Sequence, residues 1–448
     1  MLRSGGDALR VLLADPPQLF LEGTGLTRQI QPLGLGYVGA VAAADHDVRF
    51  LLPDTEPYEG SDPWGRLRQV IAAEAPDVLG ISAVTATYHS AARLAAEAKE
   101  VDPRLVTVLG GVHASAVPSA ALQGAPAIDW LVVGEGEHTF AELLRALESG
   151  TSPHDVAGLA WRNEQGQVLL SVPRPPIPDL DTLPHPLRTN LVFSENIHTA
   201  FYQALITVRG CPFSCIYCAV PSMRGRKVRY RSAPAVVDEI EALRAEHAVP
   251  SLFFHDSVFT LNRKRTLEIC DLLVSRRLTL PFNCQTRVDC IDAEIVDALV
   301  RAGCSQLFFG IESGDAESLE KIGKRVGPDD VVAAVDLVKS RGIRCTGFFM
   351  VGFPWEDEAL IEKTADFATS LGLEAVSLFS ATPLPGTKLW EMSKTEALPS
   401  SIDFRTPQVN LTQLSDEAYR EAFERARLRI DAYNQAQMMK KLAHLTNS

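Results

Sequence analysis

Arg209-Gly210-Cys211-Pro212-Phe213-Ser214-Cys215-Ile216-Tyr217-Cys218 is the stretch that orders the rest of the chain. Three thiols fall within eight residues, spaced four and three apart. Such spacing lets one loop wrap a single soft metal centre. Zinc usually takes four protein ligands, commonly from paired CxxC units, and no second CxxC or HxxxH pair exists here. The other cysteines, Cys270, Cys284, Cys290, Cys304 and Cys345, are scattered, in keeping with buried free thiols. Three thiolates on a 4Fe-4S cube leave one iron without a protein ligand, open to a substrate or cosubstrate. A zinc knuckle borrowing a distant ligand and three cysteines buried by chance are the competing readings.

Outward from this loop, short apolar runs alternate with amphipathic helices. Downstream, strands are expected at 204–210, 251–257, 282–288, 306–313, 345–354 and 375–383. Six βα repeats predict a partial barrel rather than a full eight-fold one. Upstream, strands at 9–14, 48–54, 78–84, 106–111 and 130–137 alternate with helices at 32–44, 63–75 and 88–101. This pattern predicts a parallel, doubly wound sheet. Ligands of such sheets lie at the carboxyl ends of the strands, where Gly110-Gly111 and Gly134-Glu135-Gly136-Glu137 occur. No GxGxxG opens a helix after the first strand, so a dinucleotide site is poorly supported. A hairpin around Gln165-Gly166 and a linker with six prolines at 173–188 separate the halves. The expected division is 1–150 for the first domain, 151–195 for hairpin and linker, 196–395 for the barrel and 396–448 for a helical tail. That tail starts at a Ser415-Asp416 cap.

The chain has 448 residues, with 46% apolar and 22% charged, ordinary for a globular α/β protein. Its 43 basic and 56 acidic residues give a net charge of -13, which disfavours nucleic acid and is compatible with a cationic small substrate. The acidity also serves plain solubility. No run approaches the roughly 18 apolar residues of a membrane span, and the start lacks a secretory pattern. The expected compartment is therefore cytoplasmic, without membrane contact.

The CxxxCxxC loop, with an aromatic before its third cysteine, resembles the radical S-adenosylmethionine superfamily. The resemblance implies that Cys211, Cys215 and Cys218 hold a 4Fe-4S cluster. Its open iron would chelate S-adenosylmethionine, and one electron would release a 5'-deoxyadenosyl radical that takes hydrogen from substrate. An electron donor such as flavodoxin or ferredoxin is implied. Asp256, in His255-Asp256-Ser257, falls where the family holds the S-adenosylmethionine ammonium; a helix cap is the alternative. Gln285 and Arg287 share a strand face, and Arg287 is suited to the methionyl carboxylate. Glu312 and Ser313, in GIESG, would contact ribose and carboxylate, and Gly352 and Pro354, in VGFP, adenine. Tyr217 would pack by adenine or move a proton. Pro383-Leu384-Pro385-Gly386-Thr387 resembles a sixth-strand loop, or is a plain turn. Arg224, Arg226, Lys227, Arg229 and Arg231 form a basic run that reads first as a solvated loop.

PLGLGYVGA, GGVHAS and GEGE in the first domain resemble the cobalamin-binding domain that precedes many such barrels. The resemblance spans about residues 9–395. No DxHxxG motif supplies a cobalt-ligating His: Asp54 is followed by TEPYEG, and His113 is in another context. Two reactions follow from the resemblance. The leading one is radical dehydration of a vicinal diol on an aminosugar, as in the diol dehydratases of aminoglycoside antibiotic biosynthesis. The short tail after residue 395 and the missing His favour it. The alternative is cobalamin-dependent radical methylation of an unactivated carbon. A non-catalytic binding protein on a degenerate barrel is a third reading, opposed by the intact cysteine loop.

Overall fold

The computed structural model describes residues 8–18, 30–53, 62–193, 197, 199–393 and 402–446. Asp54 and the segment after it lie outside the described residues. The chain divides into two compact units, with the main boundary between Ala204 and Leu205.

In the first unit, β1 (Arg10–Ala14), β2 (Asp47–Leu51), β3 (Val78–Ser82), β4 (Val106–Gly110) and β5 (Trp130–Val132) run parallel. The hairpin β6 (Leu159–Arg162) and β7 (Val168–Leu170) adds two antiparallel strands, giving the order β2-β1-β3-β4-β5-β6-β7. The predicted hairpin thus completes the edge of the first sheet instead of standing in a linker. Both sheet faces are dry, because alternate residues of each strand meet helices on opposite sides. Leu12, Leu79 and Leu109 face one core, with Trp64 and Leu67; Val11, Leu13 and Val108 face the other, with Phe140 and Leu144. This two-sided burial is why the strands read as continuous apolar runs. The crossover of order between β1 and β3 is the topological switch point, where such sheets bind ligands.

The second unit holds a partial (β/α)6 barrel. Its strands are β8 (Ala204–Leu205), β11 (Leu252–Phe254), β12 (Phe282–Thr286), β13 (Cys304–Glu312), β14 (Arg344–Val351) and β15 (Ala375–Ser380). They stand in the order β15-β14-β13-β12-β11-β8. Between them, β9 (Val208–Arg209) pairs antiparallel with β10 (Arg229–Tyr230). The helices after the strands start where side chains can accept orphan N–H groups. Ser232, Asn262, Asp292 and Asp357 each cap a helix this way. The final helix spans Asp416–Thr446, with the Ser415 hydroxyl accepting from the Ala418 N–H at 3.2 Å. No described helix is long and apolar enough to cross a membrane.

One departure from the expected elements matters for the site. The predicted strand 204–210 is broken into β8 and β9. The cause is Asp256, whose Oδ1 accepts from the N–H groups of Thr207 (2.7 Å) and Val208 (3.0 Å). A carboxylate takes the place of a neighbouring strand, and the chain is redirected just before the cysteines.

Candidate active site

The cysteine loop leaves β9 at the carboxyl end of the barrel and is tied down through its backbone. Ile216 N–H donates to Ile322 O (3.0 Å), and Ile216 O accepts from Leu389 N–H (2.8 Å). Gly323 has φ +90°, and a Cβ there would lie 2.9 Å from Ser214 O. Only glycine lets this turn come so close to the loop. Ile216 also packs with Ile322, Phe353, Ala381 and Leu389, with Tyr217 and Met350 on the rim of that cluster.

The thiols of Cys211 and Cys218 are pushed up chiefly by burial, Cys218 to about 11, and each is raised further by the Cys215 thiol. The three sulfurs therefore share one electrostatic environment. Among the described residues no group of three or more His, Cys, Asp or Glu side chains, the three thiols included, is gathered around a single-ion site. A three-thiol donor set on one loop fits a cluster with one open iron.

Buried polar groups surround the loop. The Tyr217 hydroxyl donates to Glu312 Oε1 at 2.7 Å, and Lys324 Nζ pairs with the same oxygen at 2.9 Å. Lys324 Nζ also donates to Gly310 O at 2.8 Å. Glu312 sits at a β13 irregularity with φ +75°, an uncommon conformation for a non-glycine residue. Burial first, then the Glu312 charge, raises the Tyr217 phenol well above its ordinary value. Arg287 grips Asp289 with two hydrogen bonds of 2.8 Å and lies over the Phe213 ring at 3.8 Å. Its Nη1 is 3.9 Å from Cys215 Sγ, and Nη2 donates to Lys324 O.

The structure thus brings Tyr217, Arg287 and Glu312 to the cysteine loop. Gln285 is half-buried on the inner face of β12. Asp256 and Ser313 are elsewhere occupied. Asp256 is fully buried, and besides the two N–H groups it accepts the Thr207 hydroxyl on Oδ2. Ser313 is also fully buried, with its hydroxyl 3.2 Å from Thr364 Oγ1 and accepting from the Asp315 N–H. Thr387 ends its loop as a cap, accepting from the Trp390 N–H at 3.1 Å, so that segment is a turn into a helix. The basic run is divided: Arg229 and Arg231 are buried, Arg231 against Glu239, while Arg226 and Lys227 are exposed. The Arg224 side chain lies outside the described residues.

Gly352 and Pro354, expected to contact adenine, belong to the turn that follows β14. Gly352 has φ +101°, and a Cβ there would sit 2.0 Å from the Tyr419 hydroxyl of the last helix. Glu356, missed in the sequence, is buried beneath the turn, and its Oε2 accepts from the N–H groups of Gly352 (2.6 Å) and Phe353 (3.0 Å). Its Oε1 has no hydrogen-bond partner among the described residues. Burial pushes the carboxyl up to about 7, against the pull of the two N–H donors. Folded Glu356 therefore holds its proton over a range where the unfolded chain has lost it. Its contribution is present below about pH 4.5 and is lost as pH rises through about 7, ~3 kcal/mol in all. Glu356→Gln keeps an acceptor and is expected to remove that part of the decline in stability. Urea unfolding of both proteins at acidic and mildly alkaline pH measures it; equal declines would refute the assignment.

In the first unit, glycines in left-handed backbone follow β4 and β5 at their carboxyl ends. Gly111 has φ +94°, and a Cβ there would lie 2.6 Å from Ala83 O. A Cβ at Gly134 would meet nothing within 4 Å. The open space at Gly134 leaves room for a cofactor at the carboxyl end of the sheet. His113 is buried, with its ring 4.3 Å from that of Tyr88 and its Nδ1 3.3 Å from Thr85 Oγ1. Burial lowers its pKa to about 4, as for a packed core histidine.

The sequence matches the Radical SAM superfamily over residues 205–368 and the B12 binding domain family over residues 26–144. It is 32% identical to an uncharacterized methyltransferase of Pyrococcus horikoshii, covering 84% of this chain and 81% of the relative. It is 29% identical to the cytidylyl-2-hydroxyethylphosphonate methyltransferase of Streptomyces wedmorensis, covering 85% and 80%. The fold is similar to that of the radical S-adenosylmethionine methyltransferase TsrM of Kitasatospora setae, solved with cobalamin and a 4Fe-4S cluster. The TM-score is 0.72 at 19% identity, over 93% of this chain and 82% of that one.

Proposed function

The chain belongs to the radical S-adenosylmethionine superfamily, in the group whose barrel follows a B12 binding domain, and from that premise we propose that it is a cobalamin-dependent methyltransferase acting on a small molecule. The observation that carries this reading is the pairing, in one chain, of the B12-type sheet with the three-thiol loop, shared along most of its length with a relative named a methyltransferase. Dehydration of an aminosugar diol, the reaction first expected from the sequence, has no comparable support. When bound, the cluster supplies an electron to S-adenosylmethionine and cobalamin supplies a methyl carrier.

The chain's own residues hold and orient these groups. Cys211, Cys215 and Cys218 are the cluster ligands. Gln285 and the Gly352–Pro354 turn receive the nucleoside, with Glu312 nearby. Arg287 acts as a clamp: its donors are directed at Asp289, Lys324 O and Cys215, so it serves the loop before the methionyl carboxylate. Asp256 and Ser313 position backbone rather than touch cosubstrate. Tyr217 packs beside the cluster, with its proton committed to Glu312. Tyr217→Phe is expected to load a full cluster and to cost about 2 kcal/mol for the lost bond to a buried carboxylate. Iron counting and denaturant unfolding check both halves, and failure to load would make the phenol essential to assembly.

The function is tested by anaerobic reconstitution with iron, sulfide and hydroxocobalamin. One cobalt and one cluster per chain, with S-adenosylhomocysteine formed only by the cobalamin-loaded protein after reduction, is the expected result. A cluster without cobalamin, giving 5'-deoxyadenosine alone, would return the assignment to dehydration.

A further inference from the structure

The inner face of the barrel sheet carries a diagonal of aromatic rings. Along β11 to β15, alternate residues are buried under helices, and those between them are half-buried on the opposite face. On that inner face Phe253 of β11 lies 5.5 Å from Phe308 of β13. Phe308 stacks on Phe348 of β14 at 5.8 Å and 20°. Phe348 meets Phe379 of β15 edge-on at 6.0 Å.

Strand register shows where the diagonal leads. Phe308 is level with Gln285, Phe348 with Gly310, and Phe379 with Met350. Gly310 accepts from Lys324, and Met350 packs with the cluster that includes Ile216 of the cysteine loop. The rings therefore climb from the barrel interior to the level of the cysteines.

Among the described residues of this surface acidic charge is scarce, and Arg287 shares the face of Gln285. Above Arg344, at the amino-terminal edge, the described inner-face residues include Asn283, Gln285 and Gln306, neutral amides, and His255, which burial holds near a pKa of about 4. The first carboxylate is Glu312, already taken by Tyr217 and Lys324. A polycation entering here would lose its water and meet, among the described inner-face residues, neutral amides and the Arg287 cation, which makes such burial costly. A flat apolar ring would find offset and edge-on partners.

We infer that the substrate is a neutral molecule with a flat unsaturated ring system, seated on Phe308 and Phe348, and not a polycationic sugar. The inference rests on the proposed methyl transfer for the identity of the site, and it names what that site accepts.

The test uses the full chain loaded with cluster, cobalamin and S-adenosylmethionine, anaerobic and unreduced, so that binding is read without turnover. Naphthalene-2-carboxamide and the polycation neamine are the probes, titrated by ligand-observed NMR. The neutral ring is expected to bind saturably and neamine at least tenfold more weakly. Phe348→Ala should weaken the ring at least tenfold. Phe348→Leu, which keeps an apolar side chain of similar volume, should weaken it severalfold while preserving the fold. Neamine binding as tightly as the neutral ring, or ring binding indifferent to both Phe348 substitutions, would overturn the inference. S-adenosylhomocysteine release, measured separately after reduction, reports methyl transfer, so either idea can fail without the other.

Discussion

Cys215→Ala is expected to abolish cluster loading and, with it, all cleavage of S-adenosylmethionine. In the proposed assignment Cys215 is the middle ligand of the loop, and the Arg287 guanidinium lies 3.9 Å from its sulfur. Two remaining thiolates cannot hold a cluster that needs three protein ligands, so the loss is of the whole centre and not of a fraction. Metal binding is coupled to ordering of its ligands, so the variant should also lose the stabilisation that loading brings. The loop backbone should survive, because it is anchored at Ile216 and by the Gly323 turn. Iron and sulfide analysis, with the visible spectrum of the reconstituted protein, reads the result. A full 4Fe-4S spectrum from the alanine protein would sink the assignment of the loop.

The second large effect is at Asp256. Asp256→Ala should destabilise the barrel unit by ~4 kcal/mol, since it strands two buried N–H groups and the Thr207 hydroxyl. Arg265, which donates to Thr207 O and Arg231 O, would also lose the carboxylate whose charge it faces. Asp256→Asn keeps an oxygen for the two N–H groups and should cost far less. The comparison separates a positioning carboxylate from one that binds the cosubstrate ammonium. Denaturant unfolding of the two variants and equilibrium binding of S-adenosylmethionine to the loaded Asn variant give the readouts. An alanine protein as stable as the parent would remove the positioning role. An asparagine protein that is stable but blind to S-adenosylmethionine would restore the ammonium contact.

The proposed methyl transfer and the proposed ring substrate depart from the cationic aminosugar that the resemblance implied and the overall charge was compatible with. A net charge of -13 is a sum over the whole surface, whereas substrate meets the few side chains of one strand face. The sum and a local surface need not agree, and the inner face of the barrel strands carries rings and amides.

By itself the sequence determined the two α/β layers, the order of strands and helices, and the three thiols, because each is written locally. Strand alternation, cap residues and the spacing of cysteines in one loop need no knowledge of distant neighbours. Tertiary structure alone decided what the buried polar side chains do. Asp256 meets Thr207 across 49 residues, Tyr217 meets Glu312 across 95, and Arg287 meets Cys215 across 72. Glu356 lies close to Gly352 in the chain, yet its burial comes from the packing around the turn, which no local pattern encodes. A carboxylate or guanidinium is defined by the partners that compensate its lost hydration, and those partners are chosen only when the strands assemble side by side.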